Sequence, residues 1–177
     1  MILGLDVRSE RSPLGAVHRT LLHFVLQSTA VSLASGPDGS REGRRLARTP
    51  DGRRLELWRV IDAPAATVWS LFTDTDDWPN WGPTIGAVEL DDAESTRITA
   101  GSTGRVRVAG VWLPFSITTC EEFRWTWSVA RIPATGHRVD PLAPDSCRAV
   151  FELSPLAVGY APVCRTALRR LDRLATD

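Results

Sequence analysis

Between residues 104 and 153 apolar and polar side chains alternate with a period of two, and the chain then ends on a stretch of helical period. Val106 and Val108 oppose Arg105 and Arg107. Val111, Leu113, Phe115 and Ile117 share one row; Trp125, Trp127 and Val129 oppose Arg124, Thr126 and Ser128; Ala149, Phe151 and Leu153 form another row. Side chains two apart share a face of a strand, so these segments predict a sheet with one strongly apolar, aromatic face. Turn residues between them predict an antiparallel meander over 84–90, 104–109, 111–119, 123–130, 136–140 and 147–153. A face so dry has to be covered. From Pro162 onward Val163, Ala167, Leu168, Leu171, Leu174 and Ala175 recur at helical spacing, with Arg165, Arg169 and Arg173 opposite. This predicts a terminal amphipathic helix of about 14 residues lying against the sheet.

Upstream, residues 54–61 (RLELWRVI) predict a further strand, and Pro64 opens a helix with Ala65, Val68, Trp69 and Phe72 on one side. There follows TDTDDWPNWGP at 73–83, in which Trp78 and Trp81 stand among turn-forming residues. Indole rings are usually buried, so distant parts of the chain must cover them. Residues 35–54 are rich in Gly, Pro, Ser and Arg without apolar period, which reads as a linker. The compact domain then spans 55–177, and 1–54 form an N-terminal extension with room for one helix at 14–34. Arg41, Arg44, Arg45 and Arg48 would share a helical face inside that linker and are read as solvated.

Several function classes are excluded at once. Lys plus Arg equals Asp plus Glu at 21 each, so no net field draws the chain to nucleic acid or anionic membrane. There is no lysine, which removes Schiff-base chemistry and Walker-type phosphate binding. Cys120, Cys147 and Cys164 are scattered and lack metal-ligand spacing, and with only His18, His23 and His137 no zinc set is expected. Reduced thiols fit a cytoplasmic protein. His18, Arg19, His23 and Gln27 interrupt the apolar stretch at 14–34, so stable membrane insertion is not expected; Asp6 and Glu10 argue against a secretory leader.

The order of elements resembles the START/Bet v 1-like superfamily, also called SRPBCC, and within it the polyketide cyclase/dehydrase and lipid-transport branch. The resemblance rests on VIDAPAATVWSLFTDTDDWPNWGP at 60–83, GSTG at 101–104, and HRVDPL at 137–142 followed by a strand and a terminal helix ending LRRLDRLA. It implies an α+β helix-grip fold, in which a curved antiparallel sheet wraps around the C-terminal helix and an elongated cavity for a small apolar molecule lies between them. It also implies that Trp78 and Trp81 sit on a short helical segment at one end of the grip with their rings turned inward. Only LSPLAVGYA separates the last strand from Pro162, so the helix is expected to be short, and Pro155, Gly159 and Pro162 mark a kinked, mobile gate.

Two functions follow from this reading. The first is a binding module for a lipid-like or aromatic polyketide-like ligand, contacted by Trp78, Trp81, Phe115, Trp125, Trp127, Phe151 and Leu168 and oriented by His137. The second is a polyketide cyclase or dehydratase acting in the same cavity, with His137 as the candidate catalytic residue and Arg131 or Arg138 polarising a carbonyl. Asp140 and Glu122 are candidate bases if buried, although strand parity turns Asp140 away from His137. Trp112 is grouped with Trp125 and Trp127 as lining. Neither function calls for a metal or organic cofactor, and nothing in the sequence specifies an oligomer.

Overall fold

The structure, a computed structural model, describes residues 40–177; the helix expected at 14–34 lies outside the described residues. Strands β1 (Glu42–Thr49) and β2 (Gly52–Ile61) lead into helix α1 (Ala65–Thr73), a 3-10 turn at Thr75–Asp77 and the single-turn helix α2 (Trp78–Trp81). Strands β3 (Ile85–Leu90), β4 (Thr103–Val108), β5 (Val111–Glu121), β6 (Arg124–Val129), β7 (Ile132–Ala143) and β8 (Ser146–Leu153) follow. A second 3-10 segment, Pro155–Tyr160, runs into the terminal helix α3 (Ala161–Thr176). All eight strands form one antiparallel sheet in the order β1-β2-β8-β7-β6-β5-β4-β3. Helix α3 packs on β2 and β8 and against α1 and α2, while α2 meets β3 at the far edge, so the sheet curls around the helices. The α+β helix-grip expectation holds.

Two boundaries differ from the sequence reading. Residues 42–49, in the middle of the expected linker, are strand β1, paired residue by residue with β2 from Glu42↔Arg59 to Thr49↔Gly52, so the sheet begins at Glu42 and not at Leu55. An edge strand needs backbone pairing more than apolar side chains. The only large aliphatic residue in β1, Leu46, is 56% exposed, and Arg45 pairs with Glu56 across the hairpin instead. Glycine is required at position 43, because a Cβ there would lie 2.4 Å from the Trp58 ring. The basic residues at 44, 45 and 48 therefore alternate along a strand and do not share a helical face.

Strand β7 is the other case, running from Ile132 to Ala143, seven residues more than the expected 136–140. Pro133 and Pro141 look like breakers, but the strand runs through both, with the register shifting beside each in the ladders to β6 and β8.

Helix α3 buries Ala161, Cys164, Ala167, Leu168 and Leu171, and leaves Leu174 40% exposed, so its apolar stripe runs through Cys164 where the sequence reading placed Val163 and Leu174. Arg165, Arg169 and Arg173 are exposed as expected. At its start the Tyr160 hydroxyl lies 2.6 Å from Thr84 Oγ1, just ahead of β3, and this bond clasps the helix entry to the last strand of the sheet.

The opposite face of the sheet carries an ion-pair network drawn from five neighbouring strands. Glu56 and Glu152 stand directly across from one another on β2 and β8, both almost fully buried. Arg138 Nη1 donates to both at 2.8 Å and its Nε donates to Asp140 Oδ1 at 2.7 Å. Arg45 closes on Glu56, and Arg124 on Glu152 and Asp51. Glycine at 136 makes room for this, since a Cβ there would meet Glu152 Oε2 at 2.8 Å.

Candidate functional site

The two tryptophans of the Trp-Pro-Asn-Trp turn face inward because of what helix α1 leaves unfinished. The last four carbonyls of a helix lack intrahelical partners. Here Ser70 accepts from Asp74 N–H and Thr73 from Ile98 N–H, while Trp81 Nε1 donates to Leu71 O at 2.9 Å and Trp78 Nε1 to Phe72 O at 3.0 Å. Each indole thus satisfies one orphan carbonyl and delivers its ring to the dry face of the sheet.

There the rings meet. Trp78 stacks on Trp125 with centroids 5.1 Å apart and planes 7° from parallel, and Trp125 stacks in turn on the His137 imidazole at 3.8 Å and 15°. Trp127 approaches Trp78 edge-on at 5.3 Å, and Phe115 lies 5.8 Å from both of them. Phe151 reaches His137 at 4.8 Å and Trp81 at 6.0 Å. The seven predicted ring residues therefore form one continuous buried cluster. Leu168 belongs to the same apolar core from α3.

Phe72 of α1 also belongs in the cluster, 5.5 Å from His137 and 5.6 Å from Trp81. Thr135 joins it through its hydroxyl, 3.3 Å from both Trp127 Nε1 and His137 Nε2. The signal for Thr135 was strand parity with His137 and Val139, hidden because β7 starts earlier than its prolines suggest.

Other candidates fall elsewhere. Arg138 and Asp140 lie on the opposite face, paired to each other and to the buried glutamates. Arg131 and Glu122 are exposed in turns. Trp112 is 37% exposed, with the guanidinium carbons of Arg105 and Arg107 5.2 and 5.9 Å from its ring centroid. It sits one position out of phase with Leu113, Phe115 and Ile117, so parity turns it away from Trp125.

His137 is 1% exposed, and burial holds its pKa well below the ordinary 6.5. The folded protein keeps it neutral while the unfolded chain protonates it below about pH 6.5, so this group makes stability fall as pH drops through that value. Urea midpoints are expected to decline from pH 6.5 towards 4.5, with a slope of up to about 1.4 kcal/mol per pH unit, and His137→Gln is expected to flatten the decline. Glu56 acts only at lower pH. Burial raises its pKa, but hydrogen bonds from Arg138 and Arg45 outweigh that and hold it below 4.5, so its contribution is lost as pH falls below that value.

Among the described residues no helix is long and apolar enough to cross a membrane. No curated protein matches the sequence. Solved structures do share the fold. CalU16 from Micromonospora echinospora is 20% identical with a TM-score of 0.54, covering 80% of this chain and 78% of its own. A START superfamily protein from Mycobacterium smegmatis is 13% identical with a TM-score of 0.53, covering 69% and 96%. The di-domain ARO/CYC protein BexL, from the BE-7585A biosynthetic pathway, is 15% identical with a TM-score of 0.52; the match covers 68% of this chain and 45% of BexL. Residues 52–176, from β2 to the end of α3, match the family described as polyketide cyclase/dehydrase and lipid transport, with β1 outside the match. The chain belongs to the polyketide cyclase/dehydrase and lipid transport family.

Proposed function

We propose that this protein binds a small hydrophobic molecule between the aromatic face of its sheet and helix α3, and does so in the cytoplasm, where its three unpaired thiols stay reduced. The observation that carries the reading is the unbroken run of rings from Phe115 to Phe151 on the dry face beneath the helices. Convergent aromatic walls with few polar groups are what apolar small-molecule sites are made of. The rings contact one another, so a guest enters by parting α2 and α3 from the sheet.

A binding role is favoured over a cyclase because five aromatic rings pack around His137 and its ring hydrogen-bonds to Thr135. Arg138, the expected carbonyl-polarising partner, is committed to the other face.

Native mass spectrometry of the full chain, purified without detergent, tests this. An apolar molecule retained by the folded protein supports it; an empty protein that also takes up no flat apolar probe overturns it. Turnover of a poly-β-ketone that His137→Ala abolishes, with affinity kept within about tenfold, would instead establish the cyclase.

The entry route makes a further prediction. Burial raises the Tyr160 pKa to about 12, and its hydroxyl stays protonated and available to the Thr84 clasp. Tyr160→Phe is expected to cost about 1 kcal/mol of stability and to speed uptake of an apolar probe several-fold in stopped-flow fluorescence. An unchanged uptake rate would place the entrance elsewhere.

A further inference from the structure

The ring cluster contains two buried polar atoms, Trp125 Nε1 and His137 Nδ1, that have no hydrogen-bond partner among the described residues. Their rings are stacked 3.8 Å apart. An indole nitrogen can only donate. What the imidazole nitrogen does is set by its neighbours. Trp127 Nε1–H donates to Thr135 Oγ1, and among the described residues the hydroxyl's single proton then has one acceptor in reach, His137 Nε2. The imidazole proton accordingly sits on Nδ1. The other tautomer would strand the Thr135 proton and leave Nδ1 a bare acceptor, burying one more unsatisfied group. Both orphan atoms are therefore donors in stacked neighbouring rings, and the chain from Trp127 through Thr135 holds the imidazole one.

We propose that Trp125 Nε1–H and His137 Nδ1–H are a donor pair that grips the carbonyl oxygen of an uncharged, flat, conjugated guest, with Thr135 as the positioning residue. This rests on the binding function above and narrows its ligand class. A hydrocarbon would leave both donors unsatisfied, which a site built to hydrogen-bond its ligand penalises. A carboxylate would arrive with a charge that nothing here neutralises, since burial keeps His137 neutral and Arg124 and Arg138 are tied to carboxylates on the opposite face. A ketone supplies lone pairs without a charge.

Three probes of one shape separate these cases: 9-fluorenone, fluorene and fluorene-9-carboxylate, each measured by equilibrium dialysis against the full chain at neutral pH. Fluorenone is expected to bind at least about tenfold more tightly than fluorene, with the carboxylate weakest. Trp125→Phe should bring fluorenone to within about threefold of fluorene, the ratio of the two affinities in the same variant being the readout. Thr135→Val should weaken fluorenone alone, and in ¹⁵N spectra of the imidazole the proton should be on Nδ1 in the wild type and redistribute in the variant. Equal binding of fluorenone and fluorene, or a wild-type proton on Nε2, overturns the donor pair and leaves the binding function standing. Binding of neither overturns both. Should Trp125→Phe fail to fold, the wild-type ranking and the tautomer decide.

Discussion

Trp78→Ala is expected to lower folding stability by about 5 kcal/mol, the largest single loss anticipated in this chain. Removing a fully buried tryptophan leaves a cavity worth about 3–5 kcal/mol. Here it also unstacks Trp125, withdraws an edge contact from Trp127 and strips Phe72 O of its donor. A domain of this size is stable by only about 5–15 kcal/mol, so the variant would sit near the edge of unfolding. Urea denaturation followed by far-ultraviolet circular dichroism measures the effect. Trp78→Phe separates its parts, since a phenyl ring refills most of the space but cannot donate, and should lose about 2 kcal/mol. A loss below about 2 kcal/mol in the alanine variant would mean that the ring is not the keystone of the cluster.

The second large effect is expected on the other face. Arg138→Met should cost about 4 kcal/mol, because it leaves Glu56 and Glu152 opposed across β2 and β8 without the guanidinium that bridges them. Its signature is the sign of its pH dependence. Two buried carboxylates forced together bind a proton more readily folded than unfolded, which raises the folded-state pKa, so the variant should gain stability relative to wild type as pH falls from 7 towards 5. Adding Glu152→Gln should restore much of the loss, with a coupling energy of about 1–3 kcal/mol in a double-mutant cycle. Additive effects would show that Arg138 serves packing alone.

These two faces also divide what was legible from what was not. The dry face could be read directly: Val106, Leu113, Phe115, Ile117, Trp125, Trp127, Val139, Ala149, Phe151 and Leu153 are all buried there. The wet face concealed its network, because Glu56, Glu152, Arg124 and Arg138 follow the same alternation as any solvated strand residues. Their burial depends on partners 28 and 82 positions away. Strand β1 was hidden for a related reason: its backbone pairs with β2 while its side chains remain mostly polar, leaving no apolar period to find.

The site shows the same division. Trp78 and Trp81 announced themselves as rings needing cover, but the carbonyls that turn them inward belong to α1 and the rings that receive them to β5, β6, β7 and β8. Thr135 and the Tyr160–Thr84 clasp carried no local signal that outweighed the prolines beside them.

Local pattern settled which side of strands β4 to β8 is dry, because side chains two apart on a strand share a face. Which rings stack, which nitrogens are left without acceptors and which charges lose their water was settled by long-range packing. Those outcomes depend on strand register and sheet curvature, which bring together residues that no local period connects.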